Sequence, residues 1–264
     1  MLLEVNGISK IYGDPECNHE FKGNRCIKCG GILALDNISF DLDFGETLGI
    51  VGESGSGKST LLRILYMDIE PDKGEEKLNG INLFSLDSKR KRDIRVKHMG
   101  MVYQSPKEGL HYNMSVSANV AEKLIDNGWR NFEKLKNTSI ELLKKVRISE
   151  NRIKDYPYTF SIGMQQRVQI AKAIATNPDL LLLDEPTASL DVTVQAEILD
   201  LIKQIQREMD IAIILVSHDL RVIKLLAERV IVLKNGRIVE AGLTDQILED
   251  PQHEYTQKLV SSIL

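Results

Sequence analysis

A glycine-rich segment near residue 55 has the residue types and the spacing of a phosphate-binding loop, GxxxxGK[ST]. Its candidate ligand residues are Gly52, Ser54, Gly55, Ser56, Gly57, Lys58, Ser59 and Thr60. Glycines let the backbone close around an anion, so that N–H groups point at the phosphates. Lys58 reaches the β- and γ-phosphate oxygens, and the Ser59 hydroxyl is a ligand for Mg²⁺. The segment predicts binding of ATP or GTP with Mg²⁺.

Two later segments end in side chains that can act on a phosphate. Asp184 and Glu185 follow the apolar run 180–183, and His218 follows the apolar run 211–216. Asp184 is placed to hold Mg²⁺, and Glu185 can polarise the water that attacks the γ-phosphate. The imidazole of His218 can hydrogen-bond that phosphate. We therefore expect hydrolysis of the nucleotide as well as binding.

Buried parallel strands are needed to position these groups. The short apolar runs at 46–51, 180–183 and 211–216 are typical of strands covered on both faces. A helix is predicted at 59–65, directly after the glycine-rich loop. Because ligands bind at the carboxyl edge of such a sheet, the pattern indicates an α/β fold with one functional edge.

Composition limits the classes of protein to consider. The chain has 264 residues and a net charge of −4, which fits one domain with an inserted lobe and disfavours a nucleic-acid partner. The longest apolar runs are too short to cross a bilayer, and the N-terminus lacks a signal-peptide pattern. We expect a cytoplasmic protein. The three cysteines lie within residues 17–29 and do not predict a disulfide framework.

Those cysteines belong to an insertion at residues 13–31. Its Cys26-x-x-Cys29-Gly pattern is typical of a zinc knuckle, and Cys17 and His19 can complete a tetrahedral site. Four such ligands leave no open position, so the predicted Zn²⁺ is structural and holds a loop that lacks its own apolar core. An iron–sulfur site and uncoordinated thiols are the alternatives.

Residues 157–171, PYTFSIGMQQRVQIA, resemble the signature segment of ATP-binding cassette (ABC) ATPases. That resemblance implies an α/β P-loop NTPase fold with a RecA-like core, an N-terminal antiparallel β subdomain and an inserted helical lobe. It also implies roles for single residues. Gln104 is similar to the Q-loop glutamine, a catalytic group and Mg²⁺ ligand, and Asp191 to the D-loop aspartate. His218 is similar to the switch histidine, and Tyr12 to the aromatic residue that stacks on adenine.

The family pattern gives the domain boundaries. Residues 1–264 are expected to form a single ABC ATPase domain, in which 105–160 is the helical signature lobe and 240–264 a C-terminal tail. Two helices are predicted from apolar spacing, at 135–146 within the lobe and at 192–209 as a core-facing helix.

The resemblance further implies a dimer that closes head to tail around ATP. Ser161 and Gly163 would then serve the ATP of the second cassette, which is either another copy or a related paralogue. Ile162 departs from the family, which has glycine there. A β-branched side chain suits neither unusual dihedrals nor a close approach to phosphate. We expect Ile162 to weaken the closed dimer or to slow its ATP turnover, without abolishing ATP binding. The alternative is that Ile162 lies beside the contact and is tolerated.

Longer blocks resemble PhnK-like cassette subunits of the carbon–phosphorus (C–P) lyase system. They include YQSP at 103–106, DVTVQA at 191–196 and the tail DPQHEYTQKLVSS at 250–262. This resemblance implies that ATP turnover remodels a soluble lyase complex for phosphonate breakdown. One alternative is the ATPase of an oligopeptide- or dipeptide-type importer, which would pair with a membrane permease. Another is a nucleotide-dependent assembly switch with weak hydrolysis.

Overall fold

The computed structural model describes residues 1–261, so the last three residues of the predicted tail 240–264 lie outside the described residues. The chain divides into two compact units. The first unit consists of Met1–Asp87 and of the chain from Ile214 onward, and the second is Ser88–Ile213. Among the described residues, no helix is long and apolar enough to cross a membrane.

Strands of the described chain form two sheets. They are β1 (Leu3–Tyr12), β2 (Phe21–Lys22), β3 (Arg25–Cys26), β4 (Ile32–Leu42), β5 (Thr47–Val51), β6 (Lys73–Leu78), β7 (Ile81–Asn82), β8 (Met99–Val102), β9 (Leu180–Asp184), β10 (Ala212–Val216), β11 (Arg229–Lys234) and β12 (Arg237–Leu243).

Most helices of the described chain lie in the second unit. The α-helices are α1 (Lys58–Leu65), α2 (Ser88–His98), α3 (Pro106–Gly109), α4 (Val116–Asp126), α5 (Phe132–Lys145), α6 (Ile162–Ala173), α7 (Val192–Met209), α8 (Leu220–Leu226), α9 (Thr244–Glu249) and α10 (Glu254–Ser261). Two short 3-10 helices are Glu150–Arg152 and Pro157–Thr159.

The first unit contains the antiparallel sheet that the family resemblance implies. Its strand order is β2-β3-β4-β1-β6-β7, and β1 pairs antiparallel with both β4 and β6. The same unit holds β5, which is fully buried and runs parallel to β11, and β12 extends this group antiparallel to β11. The phosphate-binding sequence therefore leaves the carboxyl end of a buried parallel strand, as predicted.

In the second unit, β8 and β9 are parallel neighbours, and Val102 lies opposite Leu183. Both strands are buried along their whole length, and apart from Asp184 at the end of β9 they carry no polar side chain. Helices α4, α5 and α6 pack against one another beside them. The carboxyl ends of β8 and β9 thus place Gln104 and the Asp184–Glu185 pair at one edge.

The two predicted helices are present, with one difference in length. Helix α7 spans Val192–Met209 as predicted, and its buried side chains include Ile198, Leu201 and Ile202. Helix α5 begins at Phe132 rather than at residue 135. The earlier start has a local cause, because the Asn131 side chain accepts a hydrogen bond from the Lys134 N–H at 2.9 Å and caps the first turn.

One carboxyl group is buried within the antiparallel sheet. Glu76 of β6 lies opposite Val5, is fully buried, and neither side-chain oxygen has a hydrogen-bond partner among the described residues. Burial raises the pKa of Glu76 well above its ordinary value of 4.5. The unfolded chain therefore loses this proton first as the pH rises, and the folded state becomes relatively less stable above about pH 4.5.

We expect Glu76→Leu to stabilise the chain, and to do so more at pH 8 than at pH 5. An unpartnered buried polar group costs about 1–3 kcal/mol, so the melting temperature should rise by roughly 2–10 °C at pH 8. Thermal unfolding at the two pH values measures the effect. The matched control is Glu75→Leu, at the exposed neighbouring position of the same strand. A gain independent of pH would contradict the assignment of an ionisable cost to Glu76.

Candidate nucleotide-binding site and metal centre

Two glycines of the phosphate-binding loop are required by close backbone packing. Gly52 has φ 154° and Gly57 has φ 107°. A Cβ atom at Gly52 would lie 2.2 Å from the carbonyl oxygen of Leu233, and one at Gly57 would lie 2.4 Å from that of Ala34. Any side chain there would displace backbone, so the sequence pattern reflects both the turn and its support from neighbouring strands.

The loop presents buried polar groups at the N-terminus of α1. The Lys58 ammonium is buried and donates to the carbonyl oxygens of Gly52 and Glu53, at 2.7 and 2.9 Å. The Ser56 hydroxyl is also buried and has no hydrogen-bond partner among the described residues. A buried cation, a buried hydroxyl without a partner and a helix N-terminus together suit a phosphate anion. The residues present therefore fit the nucleotide that the sequence predicts.

Two other residues predicted to contact the nucleotide, His218 and Tyr12, lie in the same unit. Ser217 donates its backbone N–H to the carbonyl oxygen of Ile50 at 3.2 Å, which holds the end of β10 beside β5. His218 follows directly and its side chain is exposed. Tyr12 ends β1 and is 42% exposed, with the Lys10 ammonium 5.8 Å from its ring centroid.

Gln104, Asp184 and Glu185 come together within the second unit. The Gln104 side-chain amide donates to Glu185 Oε2 at 3.4 Å. Asp184, the last residue of β9, is buried, and Glu185 adopts φ 45°. Left-handed backbone costs energy in a residue with a Cβ. The described structure thus brings Gln104 and the two carboxylates together at the carboxyl ends of β8 and β9.

The signature segment begins α6. Ser161 caps this helix, since its Oγ accepts from the Met164 N–H at 3.3 Å. Gly163 is buried, and a Cβ there would lie 2.4 Å from the side chain of Val194 on α7. Asp191 caps α7 by accepting from the Val194 N–H at 3.0 Å. The glycine of the signature thus has a packing role within this unit, in addition to the role that the family implies.

Three side chains on one face of α6 bind the segment 103–112, which follows β8. Gln169 Oε1 accepts from the Tyr103 N–H at 2.5 Å, and its amide donates to the carbonyl of the same residue at 3.2 Å. Lys172 donates to the Gly109 carbonyl at 2.9 Å. The Tyr112 hydroxyl donates to Gln165. Signature helix and Q-loop segment are therefore joined at several points.

The insertion of the first unit brings its four candidate ligands together. The donor atoms of Cys17, His19, Cys26 and Cys29 all lie within 4.8 Å of one another. The Cys17 and Cys26 Sγ atoms are 3.9 Å apart, and Cys29 Sγ is 3.4 Å from His19 Nδ1. A tetrahedral ion with bonds of about 2.3 Å to sulfur and 2.0 Å to nitrogen needs separations of about 3.8 and 3.5 Å. The cluster therefore has the geometry of a metal site.

The thiols of this cluster differ in how readily they ionise. Burial would raise the pKa of Cys26, but hydrogen bonds from the backbone at Cys29 and from His19 lower it to about 5. Burial and the neighbouring thiols raise the pKa of Cys17 to about 12. A negative charge on one thiolate of the cluster therefore disfavours ionisation of the next thiol. A divalent cation removes this repulsion and favours ionisation of all three thiols.

Comparison with known proteins identifies the family. A sequence profile described as "ABC transporter" matches residues 35–188. The phosphonates-utilization ATP-binding protein PhnK of Escherichia coli (strain K12) is 46% identical over 263 residues, which cover 100% of this chain and 98% of PhnK. The chain belongs to the ATP-binding cassette family. ATP and Mg²⁺ are the ligands that this family generally uses, and ATP hydrolysis is its general activity.

Other relatives of this cassette are named for peptide transport. The oligopeptide transport ATP-binding protein OppD of Bacillus subtilis (strain 168) is 43% identical over 89% of this chain and 67% of OppD. Among solved structures, the dimeric post-hydrolysis state of the cassette MJ0796, bound to ADP and Pi, aligns with a TM-score of 0.81 and 31% identity. That alignment covers 92% of this chain and 99% of MJ0796. The predicted P-loop NTPase fold of the ABC type is therefore confirmed.

Sequence reasoning missed a contact between the tail and the phosphate-binding loop of this cassette. Tyr255 of α10 is buried, and its hydroxyl accepts a hydrogen bond from the Glu53 N–H at 2.9 Å. The Lys234 ammonium lies 4.6 Å from the centroid of the same ring. Nothing in the local sequence indicates this pair.

We expect Tyr255→Phe to weaken ATP binding by roughly 2- to 10-fold, because removal of one hydrogen bond of about 0.5–1.5 kcal/mol loosens the loop that binds the phosphates. Titration with a fluorescent ATP analogue gives the dissociation constant. The matched control is Tyr158→Phe, whose ring is 64% exposed. Equal affinities in the two variants would show that the hydroxyl does not position the loop.

Proposed function

We propose that this chain is the cassette subunit that couples ATP turnover to remodelling of a phosphonate C–P lyase complex. The proposal depends on the similarity to PhnK, which extends over nearly the whole of both chains. The name of that relative connects it with the use of phosphonates. The cassette would not break the C–P bond itself, because the sequence shows no radical-cofactor motif. Its partners would be a second cassette and the soluble lyase subunits, in the cytoplasm.

The alternative is the ATPase of a peptide importer. It is supported by the similarity to OppD and by the dipeptide transport protein DppF of Haemophilus influenzae, which is 38% identical over 99% of this chain. In that case the partner is a membrane permease, and the chain lies at the inner face of the membrane. Both alternatives use the same nucleotide chemistry, so the partner distinguishes them.

The test is a pull-down of the tagged full chain from its native cell, with Mg²⁺-ATP and a mild detergent, followed by mass spectrometry. We expect soluble lyase subunits to copurify. Multi-spanning permease subunits would overturn the proposal in favour of the importer. A parallel pull-down with the Lys58→Ala variant controls for contacts that do not depend on nucleotide.

Within the proposed cycle, Asp184, Ser59 and Gln104 would be the ligands for Mg²⁺, and Glu185 would orient the attacking water. His218 hydrogen-bonds the γ-phosphate. Ser161, Gly163 and Asp191 serve the closed dimer, in which each ATP lies between two cassettes. The MJ0796 structures, both described as dimeric, support this arrangement. Hydrolysis then opens the dimer and moves the bound partner.

Ile162 alters the contact that this dimer requires. One part of our argument against isoleucine was wrong, because Ile162 is the first residue of α6 and its φ is not positive, so the backbone does not need glycine. The bulk of the isoleucine side chain is still expected to matter. The side chain is 51% exposed at the N-terminus of the signature helix, where a phosphate of the second cassette would approach.

We expect Ile162→Gly to raise ATP turnover by roughly 5-fold or more, since relief of an overpacked contact gains about 1 kcal/mol or more. Steady-state phosphate release measures it. Ile162→Ala should give an intermediate rate if bulk is the cause. Equal rates in all three proteins would mean that isoleucine is tolerated beside the contact.

For the insertion, we propose a structural Zn²⁺ held by Cys17, His19, Cys26 and Cys29. The separations of the donor atoms and the three thiols support zinc over harder ions. Metal analysis of the purified chain should give one zinc per chain, and Cys26→Ser should lose it. Iron with a visible absorption band would indicate an iron–sulfur site instead. Absence of metal after titration with zinc would indicate uncoordinated thiols.

A further inference from the structure

Two glycines connect the cluster of candidate metal ligands, Cys17, His19, Cys26 and Cys29, to Tyr12. Gly13 directly follows Tyr12, and a Cβ at Gly13 would lie 2.9 Å from the Gly31 Cα, 3.4 Å from His19 and 3.6 Å from Cys29 Sγ. A Cβ at Gly31 would lie 3.0 Å from the Tyr12 carbonyl oxygen and 3.2 Å from Cys29 Sγ. The backbone that follows Tyr12 is therefore packed directly against two of the four ligands.

Strand pairing makes the same connection from the other side. Cys26 donates its N–H to the Gly31 carbonyl at 2.7 Å. Its neighbour Arg25 lies opposite Ile32 of β4, and Ile32 in turn lies opposite Tyr12 of β1. The insertion is thus a continuation of the antiparallel sheet, and the metal cluster closes the end of that sheet where Tyr12 lies.

The strand β4 also reaches the phosphate-binding loop. Ala34 is two residues beyond Ile32, about 7 Å along the strand, and its carbonyl oxygen packs against Gly57. One strand therefore supports both the exposed ring of Tyr12 and the loop that binds the phosphates. An exposed aromatic ring that shares a supporting strand with a phosphate site can stack on the base of a bound nucleotide, and such stacking contributes substantially to binding.

We infer that the metal ion of this cluster sets the affinity of the cassette for adenine nucleotides, by fixing the Gly13–Gly31 contact and hence the position of Tyr12. With the ion bound, the ligands Cys29 and His19 are held against these glycines. Without it, the loop lacks an apolar core to hold its shape, and the Tyr12 ring loses a fixed position. This inference depends on the zinc proposal and adds a consequence for nucleotide binding.

The test compares zinc-loaded and metal-free full chain. Zinc is removed with a zinc-selective chelator, and after desalting the affinities for ATP and for inorganic tripolyphosphate are measured by calorimetry with Mg²⁺ present. We expect metal removal to weaken ATP binding by about 10-fold, the effect of losing one base-stacking contact. Tripolyphosphate, which has no base, should bind equally well to both forms. Added zinc should restore ATP affinity.

Two variants separate the route through Tyr12 from a general loss of folding. In Tyr12→Ala, metal removal should have no further effect on ATP affinity. Gly13→Ala keeps all four ligands and places a Cβ against Gly31, so it should retain zinc yet bind ATP about 10-fold more weakly, by the same loss of stacking. Ile27→Ala, at an exposed insertion residue that supplies no ligand atom, is the matched control and should retain both zinc and affinity.

The outcomes distinguish the two proposals. If the chain binds no zinc, both the zinc proposal and this inference are overturned. If it binds zinc but the loaded and metal-free forms bind ATP equally well, only this inference is overturned. A parallel loss of ATP and tripolyphosphate affinity would also overturn it, because the effect would then come from unfolding around the phosphate-binding loop. Circular dichroism of each form records its folding.

Discussion

Glu185→Gln is expected to lower ATP turnover by roughly 10²- to 10⁴-fold while leaving ATP binding intact, because the amide cannot accept a proton from the attacking water. The variant keeps the size of the side chain at the φ 45° position and preserves an oxygen that can accept from Gln104. Single-turnover phosphate release measures the chemical step, and ATP titration measures binding.

The same variant tests pairing between two copies of the chain. With hydrolysis blocked, ATP should hold the closed dimer, which size-exclusion chromatography detects. A variant that stays monomeric with ATP would argue against self-pairing and for a related paralogue as the second cassette. The control Glu133→Gln changes an exposed carboxylate on α5 and should behave as the natural chain. Turnover within threefold of that control would exclude Glu185 as the general base.

Lys58→Ala should have the second large effect, on binding rather than on the chemical step. A charge-assisted contact with phosphate contributes about 1.5–3 kcal/mol, and the ammonium is already buried within the loop that would receive the phosphates. Loss of about 1.5–3 kcal/mol would weaken ATP binding by roughly 10- to 150-fold. Isothermal calorimetry with Mg²⁺-ATP measures the change.

Lys58→Arg is the informative companion. It keeps the positive charge but replaces a compact ammonium with a planar, longer group, which cannot reproduce both bonds to the carbonyl oxygens of Gly52 and Glu53. We expect partial recovery of ATP affinity only. Full recovery would show that charge alone matters and that the fitted geometry of the loop does not.

Features with local causes could be predicted from the sequence. The phosphate-binding loop needs glycine at fixed positions, and α7 repeats its apolar residues at helical spacing, so both were identified from residues that lie close together in the chain. The metal cluster belongs to this group, since its four ligands lie within 13 residues of each other. Buried strands such as β9 were recognisable because they are apolar on both faces.

Features that depend on distant contacts could not be predicted. Tyr255 and Glu53 are 202 residues apart in the chain, and no periodic pattern in the sequence predicts their hydrogen bond. Glu76 lies in a run of charged residues that resembles a solvated strand, yet it is buried against the sheet. Ile162 gave a partly wrong expectation because its backbone conformation depends on the Ser161 cap, which only the structure reveals.

The bonds between α6 and the segment 103–112 have a consequence for building chimeric cassettes. To redirect this chain to a new partner, a designer would exchange α4 and α5, the helices that lie between the segment 103–112 and α6 in the chain. Three side chains of α6 form hydrogen bonds with this segment: Gln165 with the Tyr112 hydroxyl, Gln169 with the backbone of Tyr103, and Lys172 with the Gly109 carbonyl. A graft that extends into α6 and loses Gln165, Gln169 or Lys172 breaks these bonds, so the donor sequence must supply the same three side chains.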